Sequence, residues 1–470
     1  MDRILIAGTH SGCGKTTVTC AVLTALKQRG LNPSAFKCGP DYIDPMFHRR
    51  AIGVPSRNLD PFFCDEQGLK GQLAGPGLAI IEGAMGYYDG VGCDGRFSAY
   101  EVARLTRTPV VLVLDVKGMY ASMGAVLQGF ARYREDSGIS GVIFNNASPK
   151  LNAGLSAIAR QVGIRPLGYL PRAVKATVAS RHLGLVSAEE IGELEEKLQT
   201  LGDLAERCID LDGLLELAAG SPGLTGEPEA IRPLGSIRLA VARDEAFSFF
   251  YEENLELLRA LGCQLEFFSP MRDPALPQGV AGLYLCGGYP ELHLEALSGN
   301  RTMLESVRWA VRGGLPTIAE CGGFLYLHDQ LDGIPLAGVV PARARTTDRL
   351  SRFGYVTLRA GVDNLLCGAK DTIRSHEFHY CESTAPGGDF TAEKPLSDRS
   401  WPCIHATPTL YAGFPHLYFP ANPEFARRFV TGCLAYDRTI RSDRQNQSDR
   451  KNRSELIGPP ETINHNGGRL

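Results

Sequence analysis

The stretch "ILIAGTHSGCGKTT" (Ile4–Thr17) decides how the first half of the chain is read. An apolar run, a glycine-rich turn and a Lys-Thr-Thr that opens a helical segment form the strand–loop–helix context of a phosphate-binding loop. Thr9 stands where the common G-x-x-x-x-G-K-[ST] pattern has its first glycine. Gly12 and Gly14 let backbone N–H groups turn onto phosphate oxygens, because no Cβ blocks the approach. Lys15 is expected to reach the β- and γ-phosphates and Thr16 to place its hydroxyl on Mg²⁺, with Thr17 beside it in the first helical turn. The positive end of the helix dipole adds to the attraction. These residues make up the expected ATP-binding loop.

Outward from the loop, short β-branched runs alternate with helical segments. "RILIA", "SAFKC", "LAIIEG", "PVVLVLDV" and "GVIFN" read as buried strands, while Lys15–Arg29, Met119–Arg134 and Leu151–Val162 have helical length and spacing. Such alternation predicts a parallel sheet with helices on both faces. "AAGSPGLTGEPEAIRPLG" then reads as a linker, and a second α/β series begins with "IRLAVA", "CQLEFFSP", "GLYLCGG" and "PTIAECGG". Later pieces, "YVTLRA", "HEFHY" and "TLYAGF", look antiparallel. The expected organisation is two α/β domains: residues 1–220 with a P-loop NTPase-like sheet, a linker over 221–235, a second domain over 236–436, and a polar, disordered tail over 437–470.

With 470 residues the chain is too long for one ordinary core, and its net charge of −3 points to neither nucleic acid nor an anionic membrane as partner. No apolar run has the length of a membrane span, and the first strand leads directly into the loop, so neither an anchor nor a secretory signal is expected. Thirteen cysteines is an odd number, none are in a C-x-x-C pair, and a reducing cytoplasm suits them.

Two acidic clusters fall at strand ends, where an open α/β sheet presents its ligand crevice. "FKCGPDYIDP" supplies Lys37, Asp41 and Asp44 as an acyl-phosphate and substrate site, and "LAIIEGAMGYYDG" supplies Glu82. Glu82, Asp41 and Thr16 are the candidate Mg²⁺ contacts. His10 occupies the place where partitioning-type switch ATPases carry a lysine, which favours a small-molecule ligase over a switch.

In the second half, "GLPTIAECGGFLYL" sets Cys321 between an apolar strand and a helical run, as in a nucleophile elbow. The helix N-terminus is expected to lower its pKa. Gly322, with Gly287 and Gly288 of "LCGGYPE", would form an oxyanion hole. A cysteine nucleophile needs a base. His416 in "YAGFPHLYF" is the candidate, with His376 and His379 of "RSHEFHY" as competitors.

The ordered set "GTHSGCGKTT", "FKCGPDYIDPMFH", "IEGAMGYYDG", "SRHLGL", "LCGGYPELH", "AECGGFLYL" and "HEFHY" resembles the cobyrinic acid a,c-diamide synthase family over roughly residues 1–436. That family is similar to dethiobiotin synthetase in its first half and to class I glutamine amidotransferases in its second. The resemblance implies ATP-dependent, glutamine-hydrolysing amidation of the a and c carboxylates of a corrinoid ring through acyl phosphates, in cobalamin synthesis. It implies Cys321 as glutaminase nucleophile, His416 as its base, and Asn145 of "GVIFNNAS" near the nucleotide base. The implied partners are a cobyrinate-like tetrapyrrole polycarboxylate, ATP, L-glutamine and Mg²⁺, and a homodimer is compatible with it. Hydrogenobyrinate and nickel-sirohydrochlorin a,c-diamide synthases and cobyric acid synthase are the neighbouring alternatives. A switch ATPase with an inert second domain is the alternative of another class. The chain departs from the family pattern at Ser375, before His376, and at Pro415 and Tyr418 around His416. The four arginines Arg343, Arg345, Arg349 and Arg352 are candidates for ring carboxylates, against the plainer reading of a solvated charge run.

Overall fold

In a computed structural model, which describes residues 1–172, 188–225 and 231–456, the chain forms two α/β halves. The first is a seven-stranded sheet of β1 (Asp2–Gly8), β2 (Ser34–Cys38), β3 (Ser56–Leu59), β4 (Leu78–Glu82), β5 (Val110–Asp115), β6 (Ile139–Asn145) and β7 (Arg165–Leu170). The spatial order is β3-β2-β4-β1-β5-β6-β7, and every pairing is parallel. Alternation along β1 explains the layers: Leu5 and Ala7 enter one core and Ile4 and Ile6 the other, on opposite faces. Helix α1 (Lys15–Gln28) packs Val18, Val22 and Leu26 into the second of these cores. The chain runs from β1 to β2 on one side and from β4 to β5 on the other, so a crevice opens at the C-terminal end of β1. The phosphate loop lies there.

The second half is built on β8 (Ile237–Ala242), β9 (Cys263–Phe268), β10 (Gly282–Leu285) and β11 (Thr317–Glu320), extended by the strand Leu410–Gly413. Arg352–Ala360 and Thr372–His379 form an antiparallel pair, as expected. The strand of "TLYAGF" instead runs parallel to β11. Its partner is some ninety positions away in the chain (Leu410 against Thr317), so local turn signals carried no information about it. After Gly413 the chain crosses into the antiparallel sheet, where His416–Leu417 pairs with Ser375–His376.

The core of the first half continues into the second through Phe249, Tyr251 and Tyr418. Polar contacts cross the same boundary: Tyr42 OH to Tyr251 OH at 2.9 Å, Tyr355 OH to Asp60 Oδ2 at 2.8 Å, and Arg374 to the Phe62 carbonyl at 2.6 Å. Ser221 and Pro222, in the expected linker, accept hydrogen bonds from the buried Arg3 guanidinium, and residues 226–230 lie outside the described residues.

The tail differs from expectation. One helix, Pro423–Leu456, carries regular structure twenty residues past position 436. Phe425, Ala426, Phe429, Val430 and Cys433 bury an apolar stripe that nucleates it. Propagation then costs little, since residues 437–456 contain no glycine or proline and Asp437 pairs with Arg441 one turn on at 2.8 Å.

Candidate active site

Two centres face the boundary between the halves. The first lies at the strand ends around the phosphate loop. Gly12 and Gly14 have φ of 84° and 95°, left-handed values that favour glycine, and Gly14 caps α1. Lys15 is buried, and its Nζ donates to the His10 carbonyl at 3.2 Å. Thr17 follows Thr16 in the first turn of α1. Asn145 donates through Nδ2 to the Cys13 carbonyl at 2.9 Å, so in this structure its amide braces the loop.

Parallel pairing places Lys37 opposite Glu82, and both side chains are buried. Glu82 Oε1 accepts from the Thr16 hydroxyl at 2.6 Å and from Lys37 Nζ at 2.8 Å. Lys37 also meets Asp44 at 2.6 Å, and His48 Nε2 approaches Glu82 Oε2 to 3.3 Å. Burial acts to raise the Glu82 carboxyl, but Lys37 and His48 together pull it below the usual carboxylate range. Burial, reinforced by the Glu82 charge and opposed by Lys37, pushes Asp44 up to about 8. One cation cannot hold two buried carboxylates ionised at once. Asp41 is not drawn into this cluster: its Oδ1 caps the helix Ile43–Phe47, accepting from Ile43 N at 2.8 Å and Asp44 N at 3.2 Å. The expected triple of Thr16, Glu82 and Asp41 thus reduces to a close Thr16–Glu82 pair, and among the described residues no group of three His, Cys, Asp or Glu gathers to hold a metal ion. A hydroxyl and a carboxylate suffice for Mg²⁺ when phosphate oxygens and water complete its shell, so this pair fits the ion.

The second centre is the elbow after β11. Cys321 has φ 46° and ψ −101°, a strained conformation for a residue with a Cβ, and leads into the helix Gly322–Tyr326. Gly322 packs so closely on the neighbouring turn that a Cβ there would sit 2.9 Å from Gly288 N. The Gly322 N–H points to the Cys321 thiol, and that of Gly288 donates to no backbone carbonyl among the described residues. Gly287 is a correction to the sequence reading. Its N–H is used in a bridge to the Phe249 carbonyl at 3.2 Å and is not available to an oxyanion. The lack of a side chain serves another purpose, because a Cβ on Gly287 would lie 2.2 Å from His416 Cε1. The imidazole therefore lies against this turn, beside the Gly288–Gly322 contact.

The thiol is a second correction. Burial, with Glu291 adding, pushes the Cys321 pKa well up and not down, and Sγ lies 3.9 Å from the Phe378 carbonyl. A five-residue helix does not outweigh desolvation of a thiolate. Burial also pushes His416 down to about 3, and neither of its ring nitrogens has a hydrogen-bond partner among the described residues. His376 stands directly across the strand pair from His416, also pushed down to about 3 by burial. His379 is occupied otherwise, with Nδ1 2.7 Å from the Cys381 carbonyl and its ring stacked on Phe414 at 3.9 Å.

Sequence reasoning missed Glu320 and Tyr42. Glu320, the residue before Cys321, is buried and accepts from Leu417 N at 3.0 Å and from Tyr284 OH at 2.9 Å, which ties the strand of His416 to the elbow. A carboxylate closing an otherwise apolar strand was the available signal. Tyr42 lies between Asp41 and Asp44 in sequence, yet its ring centroid is 4.9 Å from that of His416. It spans the two centres. Of the departures from the family pattern, Ser375 is buried with its hydroxyl unpartnered among the described residues, and Tyr418 stacks on Phe63 at 4.8 Å. Arg343, Arg345 and Arg349 are exposed, Arg345 paired with Glu382 at 2.8 Å, and Arg352 lies over Trp401. The motif at 180–185 lies outside the described residues.

Comparison with known proteins agrees with this division. Residues 4–186 match the CobQ/CobB/MinD/ParA nucleotide binding domain, and residues 238–421 match the CobB/CobQ-like glutamine amidotransferase domain. A cobyrinate a,c-diamide synthase from Caldanaerobacter subterraneus subsp. tengcongensis is 37% identical over 92% of this chain and 99% of its own length. One from Listeria monocytogenes is 38% identical over 90% of this chain and 97% of its own. A hydrogenobyrinate a,c-diamide synthase from Thermobifida fusca is also 38% identical, over 92% and 96%. With relatives 37–38% identical over nine-tenths or more of both chains, and a nucleotide binding domain followed by a glutamine amidotransferase domain, the chain belongs to the cobyrinate a,c-diamide synthase family, glutamine-dependent amidating ligases that bind a nucleotide.

Proposed function

We propose that the protein converts the a and c carboxylates of cobyrinate into amides, using ATP to activate each acid and glutamine as nitrogen source. The observation that carries this reading is the single side chain Tyr42, which joins the acidic segment of the first centre to the imidazole of the second.

At the elbow, the Cys321 thiol attacks the side-chain amide carbon of glutamine while its proton passes to His416, which is neutral because burial disfavours the imidazolium. The tetrahedral oxyanion is met by the N–H groups of Gly288 and Gly322. As the carbon–nitrogen bond breaks, His416 returns its proton to the departing nitrogen, leaving a thioester that water hydrolyses to glutamate. Ammonia passes internally along the buried Tyr42 wall, since bulk water would protonate and dilute it.

At the first centre, a carboxylate is too poor an acyl donor to react with ammonia, so a substrate oxygen first takes the γ-phosphoryl group of ATP. The loop N–H groups and Lys15 hold the phosphates. Thr16 and Glu82 would hold Mg²⁺, which neutralises phosphate charge. Lys37 and Asp44 flank the reacting carboxylate, and ammonia then displaces phosphate to give the amide.

The Thermobifida relative supports a second reading with the metal-free ring, hydrogenobyrinate, as substrate. Glutamine-dependent amide formation measured on cobyrinate and on its metal-free and nickel-containing analogues decides between them. Fastest turnover per KM on the cobalt ring is expected, and preference for another ring replaces this reading with that one. Failure of every ring to draw ATP hydrolysis refutes the amidation itself.

A further inference from the structure

A cavity of about 540 Å³ opens at the segment that follows β4, walled by Met85, Tyr88, Tyr100, Tyr133, Arg134 and Asp89. Its wall is continuous with the loop. Tyr87 N donates to the Gly8 carbonyl at 2.8 Å, and Gly86 is so near the Thr9 carbonyl that a Cβ would lie 3.0 Å from it. The segment Met85–Tyr88, which walls the cavity at both ends, therefore also touches the residues that precede Lys15.

The aromatic wall is rigid. The Tyr88 hydroxyl is tied back to the Phe130 carbonyl at 2.7 Å and that of Tyr100 to Asp136 at 2.5 Å. The Tyr88 ring packs against those of Tyr100, Phe130 and Tyr133, with centroids 5.1–5.7 Å apart. Two apolar groups nevertheless remain in water. Tyr133 is 62% exposed, and Met85 is 47% exposed on a backbone with φ 49°, a strained value for methionine. Folding alone gives no reason to hold them there.

The charges in the wall are unequal. Arg134 lies with its guanidinium 5.1 Å from the Tyr133 ring, and its buried Nε has no hydrogen-bond partner among the described residues. The acids are already engaged: Asp89 Oδ2 accepts from Gly86 N and Asp94 Oδ2 from Arg96, each at 3.0 Å. Aromatic rings beside one unsatisfied cation fit a large ring that carries carboxylates on its rim.

We propose that this cavity seats the face of the macrocyclic polycarboxylate, with Tyr133, Tyr88 and Met85 against the ring and Arg134 on a rim carboxylate. The assignment rests on the amidation reading and adds the place where that substrate docks. It also meets a chemical need. Phosphoryl transfer requires the reacting oxygen in line with the γ-phosphate, so the ring must be held on a wall it shares with the loop.

Cobyrinate titrated into the full chain without ATP, followed by quenching of protein fluorescence, tests the seat in Tyr133→Ala and Arg134→Gln. Each substitution should raise the ring dissociation constant about tenfold, since an anchoring aromatic or arginine is removed. ATP-analogue binding and the basal glutaminase rate should not move. Trp309→Ala, on an equally exposed aromatic of the other half (75% exposed), should leave ring affinity unchanged. Ring affinity unaltered in both cavity variants, or lost equally in Trp309→Ala, overturns the seat, as does weakened nucleotide binding in their place. If those results come from a wild-type chain that amidates the ring, only the seat is wrong. A wild-type chain that amidates no tetrapyrrole acid refutes the amidation reading instead.

Discussion

The two centres of this molecule are built in opposite ways. Around the phosphate loop, opposite charges already hold one another: Thr16, Lys37 and His48 all converge on Glu82. At the elbow the reactive groups are uncharged. The thiol is protonated, the imidazole is neutral, and both ring nitrogens of His416 lack hydrogen-bond partners among the described residues. The first site is preorganised for a charged ligand; the second needs its ligand to become reactive. A thiolate–imidazolium pair must be stabilised as a unit, because burial penalises either ion alone.

Substitutions can test that contrast. Cys321→Ser should have the largest effect, lowering glutamine-dependent synthesis about 10⁴-fold or more, while synthesis from added ammonia persists. Glutamate release and amide formation, assayed side by side, measure both. Glu82→Gln should do the reverse. Amide formation from either nitrogen source should fall by roughly 10²–10³-fold through loss of the charge that organises Thr16 and Lys37, with glutaminase turnover kept. Should the two substitutions give the same pattern, the centres are not separable as described.

The pH dependence is the next smaller effect. Since His416 in the free protein is held down to about 3 and Cys321 well up, kcat/KM for glutamine should show no acid limb between about pH 5 and 7 and should stay flat just above it. A limb near the ordinary histidine value would mean that the imidazole is solvated, contrary to its burial.

Smallest is a stability change at the boundary between the halves. Burial pushes Asp60 and Glu253 up to about 7, and Glu320 up to about 8. Unfolded, such groups titrate near 4, so the folded protein binds more protons over the range between. Their contribution is complete below about pH 4 and is lost as pH rises through 7 to 8. The melting temperature should therefore fall by several degrees between about pH 4 and 8 and level off above it. Calorimetry on the wild type and on Asp60→Asn, which should flatten the slope, checks it.

How much of this was legible in the sequence depends on how local the information is. Lys15, Thr16 and Cys321 could be found because a turn of few residues encodes each of them. Lys37 and Glu82 were placed correctly at strand ends, but only the parallel register of β2 against β4 joins them. The role of Gly287 was misread because its N–H partner, Phe249, lies in another turn. The thiol pKa was misjudged because desolvation is a property of the finished core, and the dipole of a short helix is visible beforehand. Tyr42 was not singled out, for the imidazole it meets is 374 positions later in the chain (His416). The tail was judged by composition alone, without the buried stripe that starts its helix.

Tyr42 also has a consequence for how such a protein can change. A recombinant that joins this amidotransferase half to the nucleotide-binding half of a different ligase would keep Cys321 and His416, yet would lack the Tyr42 ring that the imidazole packs upon. The halves are therefore not interchangeable modules: inheritance of the nitrogen donor has to bring along a segment from the opposite side of the seam.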